Sequence, residues 1–359
     1  MSLAATYTSI SDISQLVNLG ENNMLGAICF VDHIHNNELY SSNATPNLQL
    51  NAPILDAVDQ ACELWCLTSN KPLTQGIVGD ISYRFNDDFL FGVITLPESL
   101  PLENDTQISA LQYITESAYR QIFALMDKMD YPHIYRIWNY MADINGVHPL
   151  ISHGLERYRQ FNVGRKEAFM ACSNAMNLQL PAACALGTRD GPLSIAFLLG
   201  HKPPIAIENP RQISAYEYPD DYGPQTPNFS RATLLPGDAS SAEHSAILFI
   251  SGTASIVGHQ TLHTKDVVAQ TKETLANLEA VITEANRTIG AVRFDLHHAF
   301  LRVYVRNALD LPMIKNEIRH HLGSAVKAVF VQADICRQAL LLEIETTVHY
   351  SVKKTHAIA

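Results

Sequence analysis

The sequence predicts an α+β fold that repeats one unit along the chain, and three observations predict it. A rhythm of strand pair, long helix, strand, second helix and strand pair recurs in the middle and last thirds. The apolar period changes within each third, from helical spacing at Leu275, Leu278, Val281 and Ile282 to alternation at Arg302, Val303, Tyr304, Val305 and Arg306. The 359 residues also exceed what one hydrophobic core ordinarily holds. The repeat lies in the order of elements and not in the wording of the sequence. It divides the chain into a degenerate first unit at 1–90, a central unit at 91–236 and a last unit at 237–359.

In the first unit we expect a strand at 26–31, a helix at 54–68 and a strand at 76–84. The central unit follows the rhythm more fully. A strand at 89–96 leads to a long helix at 107–129, and a strand at 133–141 carries Ile137, Trp138 and Tyr140. A second helix spans 156–176, and two strands fall within 182–199 around Asp190-Gly191. In the last unit an apolar strand at 246–251 ends at Gly252, followed by a helix over 266–285 and a strand within 294–306. Pro312 stands near the start of a short helix at 313–321, where its missing N–H is harmless. Two closing strands, 325–332 and 340–350, are expected to pair as a hairpin. The Pro- and Tyr-rich segment 208–236 is too long for an ordinary connector, and its aromatic content argues for an ordered, functional loop.

Composition narrows the function classes. With 47% hydrophobic and 17% charged residues the chain reads as a soluble globular protein, and no apolar run reaches membrane-spanning length. A net charge of -11 argues against a nucleic-acid partner, whose phosphates need a basic footprint. The cluster Arg157, Arg159, Arg165 and Lys166 nevertheless suits a small anion. The six cysteines show neither zinc spacing nor a dense disulfide framework, which is the pattern of buried free thiols in a reduced, cytoplasmic protein. The N-terminus lacks a basic start and apolar core of the secretory kind. His33-Ile34-His35, His297-His298 and His320-His321 lack a Cys, Asp or Glu at standard zinc spacing, so no metal site is expected.

The segment most suggestive of chemistry is 333–345. A polar, turn-like stretch leads into a strand in which Glu343 and Glu345 alternate with Leu342 and Ile344, so both acids share one face. On the residues alone, two exposed acids on an edge strand explain this as well as a site does. Likewise, Tyr158 and Arg165, seven apart, share a helix face, but arginines on helices are usually solvated.

Several longer segments carry a family likeness. They include Arg136-Ile137-Trp138-Asn139-Tyr140, Gly154-Leu155-Glu156-Arg157-Tyr158-Arg159, Glu208-Asn209-Pro210-Arg211-Gln212, Tyr222-Gly223-Pro224, Phe229-Ser230-Arg231-Ala232, and the run from Gly252 to His259. The last unit, with Ile250-Ser251-Gly252-Thr253 and the Leu342-Glu343-Ile344-Glu345 ending, resembles the YjgF/Rid superfamily. The whole chain resembles the chorismatases, on segments that span its middle and last thirds and with little from the first ninety residues. That resemblance implies tandem YjgF/Rid-like (chorismate mutase-like) units with pseudo-threefold symmetry and a site between the central and last units. It implies hydrolysis of the enol ether of chorismate to pyruvate and a ring product, without metal or organic cofactor. Three fused units would satisfy the interfaces that separate Rid subunits share, so a monomer is expected.

The resemblance also assigns roles. Glu343 becomes the acid that protonates the vinylic methylene, its apolar neighbours holding the proton in place by desolvation. Tyr158 with Arg165, and Tyr218 with Arg231, become the two pairs that hold substrate carboxylates, a task suited to the planar guanidinium. Cys336 stands where hydroxybenzoate-forming members carry cysteine and diene-forming members alanine. This implies 3-hydroxybenzoate, alone or with 4-hydroxybenzoate. The alternatives are the dihydroxycyclohexadiene acid, or a non-catalytic Rid-like protein that binds a small ligand. Aligned back from Glu343, Ala328 falls where Rid imine deaminases carry arginine, which disfavours imine deamination.

Overall fold

The structure is a computed structural model, and it describes residues 3–9, 23–32, 45–57, 59, 61–68, 72–99, 108–148, 154–172, 179–237, 243–290 and 294–353. The first part holds strands β1 Leu3–Thr8, β2 Met24–Val31, β3 Asn47–Asn51, β4 Ile54–Asp56, β5 Cys62–Leu67, β6 Thr74–Val78 and β7 Ile81–Phe85. Next come β8 Phe89–Leu96, helix α1 Ala110–Met129, β9 His133–Ala142, helix α2 Arg157–Ala171, β10 Ala182–Thr188 and β11 Leu193–Gly200. Strands β12 Ile205–Ile207, β13 Ala232–Pro236 and β14 Glu243–Thr253 are followed by the short pair β15 Ile256–Val257 and β16 Gln260–Thr261. The chain continues with α3 Val267–Ile289, β17 Phe300–Val305, α4 Leu311–Leu322, β18 Lys327–Gln332, β19 Asp334–Ile335 and β20 Leu342–Lys353.

Three larger sheets repeat one pattern of four strands: β1-β5-β2-β3, β8-β11-β9-β10 and β14-β20-β17-β18. In each the last pair is parallel (β2 with β3, β9 with β10, β17 with β18) and the other neighbours are antiparallel. The inner faces of the three sheets share one core in which Trp65, Trp138 and Phe249 meet. At its centre Phe30, Tyr140 and Tyr304, one from the second strand of each unit, stand 6.1, 6.2 and 6.5 Å apart. Helices α1 and α2 cover the outer face of the central sheet, and α3 and α4 that of the last. Ser109 caps α1 through Gln112 N and Asp266 caps α3 through Ala269 N, contacts typically worth about 1 kcal/mol each.

The sheets exchange strands. β6 and β7 extend the central sheet, β4 and the pair β12-β13 extend the last sheet, and β19 crosses to pair with β10. Three expectations fail here. The helix expected over 54–68 is two strands, β4 and β5. Its Ile54, Ala57, Ala61, Leu64 and Trp65 mimic helical spacing, and β5, buried on both faces, shows no clean alternation. The strand expected at 76–84 is the antiparallel pair β6-β7, which turns at Gly79, where φ is 58°. The closing hairpin is absent, because β17 lies between β18 and β20 and pairs with both.

The free-thiol expectation also needs correction. Cys29 and Cys62 are opposite one another on β2 and β5 and form a disulfide, with Cα atoms 4.1 Å apart. Cys172, Cys184 and Cys336 carry free thiols. His33-Ile34-His35 lies outside the described residues, and among the described residues no group of three His, Cys, Asp or Glu side chains is placed to hold a metal. No helix among them is long and apolar enough to cross a membrane.

Candidate active site

Strand β20 is central in its sheet, with β14 on one side and β17 on the other, so Glu343 and Glu345 are not edge-strand acids. Alternation sends Leu342 and Ile344 outward beneath α3, with Leu275 and Leu278, and both carboxyls inward. The two acids are buried to 4% and 3% exposure, yet their surroundings differ in kind. Glu345 receives the Arg136 guanidinium from β9, Arg302 Nη1 at 2.6 Å and the Tyr304 hydroxyl at 2.8 Å. Burial alone would raise its pKa, but those two guanidiniums, with help from Tyr304 and the Cys184 thiol, hold the carboxyl below the usual range.

Glu343 has no hydrogen-bond or ion-pair partner among the described residues. Burial, with the neighbouring Glu345 carboxylate, pushes its pKa up to about 8, against the opposing pull of Arg136. Two carboxyls two residues apart are thus separated into a fixed anion and an acid that keeps its proton at neutral pH, which is how environment assigns acid and base roles. Gly252 makes the room. The β14-β20 register breaks between Ile250 and Thr253, and a Cβ built on Gly252 would lie 1.8 Å from Glu343 Oε1. The strand exit at Gly252 therefore serves as the floor beneath the Glu343 carboxyl.

That carboxyl opens into a cavity of about 330 Å³ between α2, the 208–236 connection and the β14–β20 sheet. Of the residues expected to act, Glu343, Cys336, Tyr158, Tyr218 and Arg231 line it. Arg231 donates through Nη2 to the Tyr218 hydroxyl and to the Ile213 carbonyl, both at 2.8 Å, and stacks on Phe229. Its Nε is buried without a hydrogen-bond partner among the described residues. Burial, followed by Glu343, pushes the Cys336 thiol up to about 12, so it stays protonated and is no nucleophile at neutral pH. Burial likewise raises the Tyr158 hydroxyl well above its usual range.

Arg165 is placed differently. It is 3% exposed and does not line the cavity; its Nη2 donates to the Asn228 carbonyl, and its guanidinium lies 5.3 Å from the Tyr119 ring centre. Its positive charge weakly opposes the rise that burial gives the Tyr158 hydroxyl. Two further arginines do line the cavity. Arg337 lies 4.1 Å over the Tyr222 ring and donates to the His259 carbonyl at 2.8 Å, while Arg159 reaches Glu156 at 3.5 Å. Arg159 is thus part of the wall, whereas Arg157 is spent on Glu98. The signal for Arg337 was its place directly after Cys336 in the polar stretch before β20. Arg211 pairs with Glu273 and Asn277 away from the cavity, and Tyr216 points to solvent at 41% exposure.

Comparison with known proteins accords with this geometry. Residues 63–199 match the family described as chorismatase FkbO/Hyg5-like, N-terminal. The chain is 34% identical over 314 residues to a 3-hydroxybenzoate synthase of Streptomyces hygroscopicus, covering 84% of this chain and 85% of that protein. It is also 34% identical over 289 residues to a chorismatase of the same organism, covering 79% and 78%. A crystal structure of a chorismatase superposes with a TM-score of 0.80 at 30% identity, covering 97% of this chain and 98% of the other. The chain belongs to the chorismatase family.

Proposed function

We propose that this protein cleaves the enol ether of chorismate, releasing pyruvate and 3-hydroxybenzoate, alone or with 4-hydroxybenzoate. The observation that carries the reading is Glu343, a buried, unpartnered carboxyl that keeps its proton to about pH 8 and faces a cavity of suitable size. Glu343 protonates the vinylic methylene, and the resulting oxocarbenium becomes the keto group of pyruvate as the bond from its oxygen to ring carbon 3 breaks. The 4-hydroxyl oxygen closes onto carbon 3, giving an arene oxide whose bond to carbon 4 then opens with loss of the carbon-3 hydrogen as a proton, which leaves 3-hydroxybenzoate. Direct loss of the carbon-4 hydrogen gives 4-hydroxybenzoate instead. A hydroxybenzoate and pyruvate together contain the same atoms as chorismate. The proton given to the methylene is therefore matched by one lost from the ring system, and Glu343 ends the cycle protonated. The diene diol, in contrast, requires one water in addition.

The two carboxylates of the substrate call for two cationic ends. Arg231 with Tyr218 holds one, and Tyr158, backed by Arg165, holds the other, with Arg159 and Arg337 adding positive charge to the wall. Cys336 occupies space beside Glu343 that a water would otherwise take. Cys336→Ala is expected to keep releasing pyruvate while part of the ring product shifts to the dihydroxydiene, read by chromatography after full conversion; an unchanged product would remove the cysteine from the account. The direct test of the activity is chorismate with purified protein and coupled detection of pyruvate, and no pyruvate would defeat the proposal.

The shared strand order and the central ring triad support three YjgF/Rid-like units about a pseudo-threefold axis, working as a monomer. A cytoplasmic location belongs to the same proposal and rests on a substrate with two negative charges, which does not cross membranes unaided.

A further inference from the structure

Among the described residues, those lining the cavity lie between positions 156 and 343, and none comes from the N-terminal sheet. It does send one carboxylate into the buried network behind the site. Glu63 on β5, 4% exposed, pairs with Arg302 Nη2 and accepts the Tyr7 hydroxyl at 2.7 Å. Arg302, 1% exposed, turns its other terminal nitrogen to Glu345 at 2.6 Å, and Glu345 is held in turn by Arg136. Charges along the chain Glu63, Arg302, Glu345 and Arg136 alternate and sum to zero. Glu345 stands two residues from Glu343 on the same face of β20.

We infer that Glu63 is a positioning residue for the reaction: through Arg302 it fixes Glu345 as the anion beside Glu343, and so helps Glu343 keep the proton it transfers. The titratable groups around Glu343 are Glu345 on its own strand, Arg136 from β9, Cys184 from β10, Tyr304 from β17 and Cys336 after β19. Lining the shared cavity with it are also Glu156, Tyr158 and Arg159 at α2, Tyr218, Asp221, Tyr222 and Arg231 from the 208–236 connection, and Arg337. Among the described residues, Glu63 is the group from the N-terminal sheet that is ion-paired to Arg302. Without its charge the network carries a net positive charge, which favours the ionised form of Glu343. If Arg302 also loosens and Glu345 takes up a proton, repulsion on Glu343 falls, and the shift has the same sign. This gives the N-terminal unit a role in the chemistry at a distance, beyond filling the core.

The inference rests on Glu343 being the proton donor, and the pH dependence of kcat/KM for chorismate separates the two ideas. Wild-type protein should lose activity as pH rises through about 8. Absence of that limb would count against Glu343 itself. Given the limb, Glu63→Gln is expected to move its midpoint to lower pH by about half a unit to one unit, as a unit charge within a buried network does. Glu63→Asp, which keeps the charge but draws it back by one methylene, should move it the same way by a smaller step. It decides the matter if Glu63→Gln is not recovered folded. A role confined to stability would lower the unfolding temperature in both variants and leave the midpoint where it is. That outcome overturns the inference.

Discussion

Glu343→Gln is expected to lower kcat for pyruvate release by at least about 10²-fold, within the 10²–10⁴ range typical of a positioned acid, with KM nearly unchanged. The amide has the size of the carboxyl but no transferable proton at the required acidity. Its fit beside Gly252 is the same, so the cavity keeps its shape. Stability should move the other way. Folding raises the Glu343 pKa from an ordinary carboxyl to about 8, so its contribution is fully favourable only below the unfolded pKa and is lost as pH rises through the folded one. At pH 7 the wild-type protein has already lost most of it, and the glutamine variant has nothing to lose. An unfolding temperature at neutral pH no lower than wild type, together with the loss of kcat, would mark Glu343 as chemistry and not scaffold. Full activity in the variant would remove it from the mechanism.

Arg302→Leu is expected to be the most damaging single change to stability, at about 3–5 kcal/mol by denaturant midpoint, because it leaves Glu63 without a cation in the shared core and Glu345 with Arg136 alone. Glu63 and Glu345 both lose a charged partner there, and neither has solvent to replace it. The exposed pair Arg120–Glu116 on α1 is the control, since breaking it should barely move the midpoint. Sensitivity at Arg302 no greater than at Arg120 would show the network is not holding the three sheets together. The damage should extend to activity, because Glu345 depends on Arg302 to remain the anion that keeps Glu343 protonated.

Much of this was legible in the sequence where local pattern decides the outcome. The helical spacing of Leu275, Leu278 and Val281 places α3, and alternation along β20 puts Glu343 and Glu345 on one face. Alternation cannot say what the face meets. The acids face guanidiniums supplied by β9 and β17, and Arg136 pairs with Glu345 across 209 positions of sequence. Glu63 was missed for the same reason: its partner is 239 positions away, and strand β5 around it is buried on both faces and mimics a helix. Helical periodicity correctly put Tyr158 and Arg165 on one side of α2. It could not show that the Arg165 side chain would turn to the Asn228 carbonyl while Arg337, from a turn, entered the cavity. Strand pairing failed at the closing pair because neighbours in sequence need not be neighbours in a sheet, and a parallel third strand forces β20 back across to β14.

The central claim is that Glu343 delivers a proton, exchangeable with solvent, to the methylene of chorismate. The direct measurement is to turn over chorismate in deuterium oxide, trap pyruvate at once as lactate, and determine the methyl group by mass spectrometry. Protonation by Glu343 places one deuterium in each methyl at the first turnover. A methyl group without deuterium would mean that a ring hydrogen is passed directly to the methylene within the substrate, and would contradict the account.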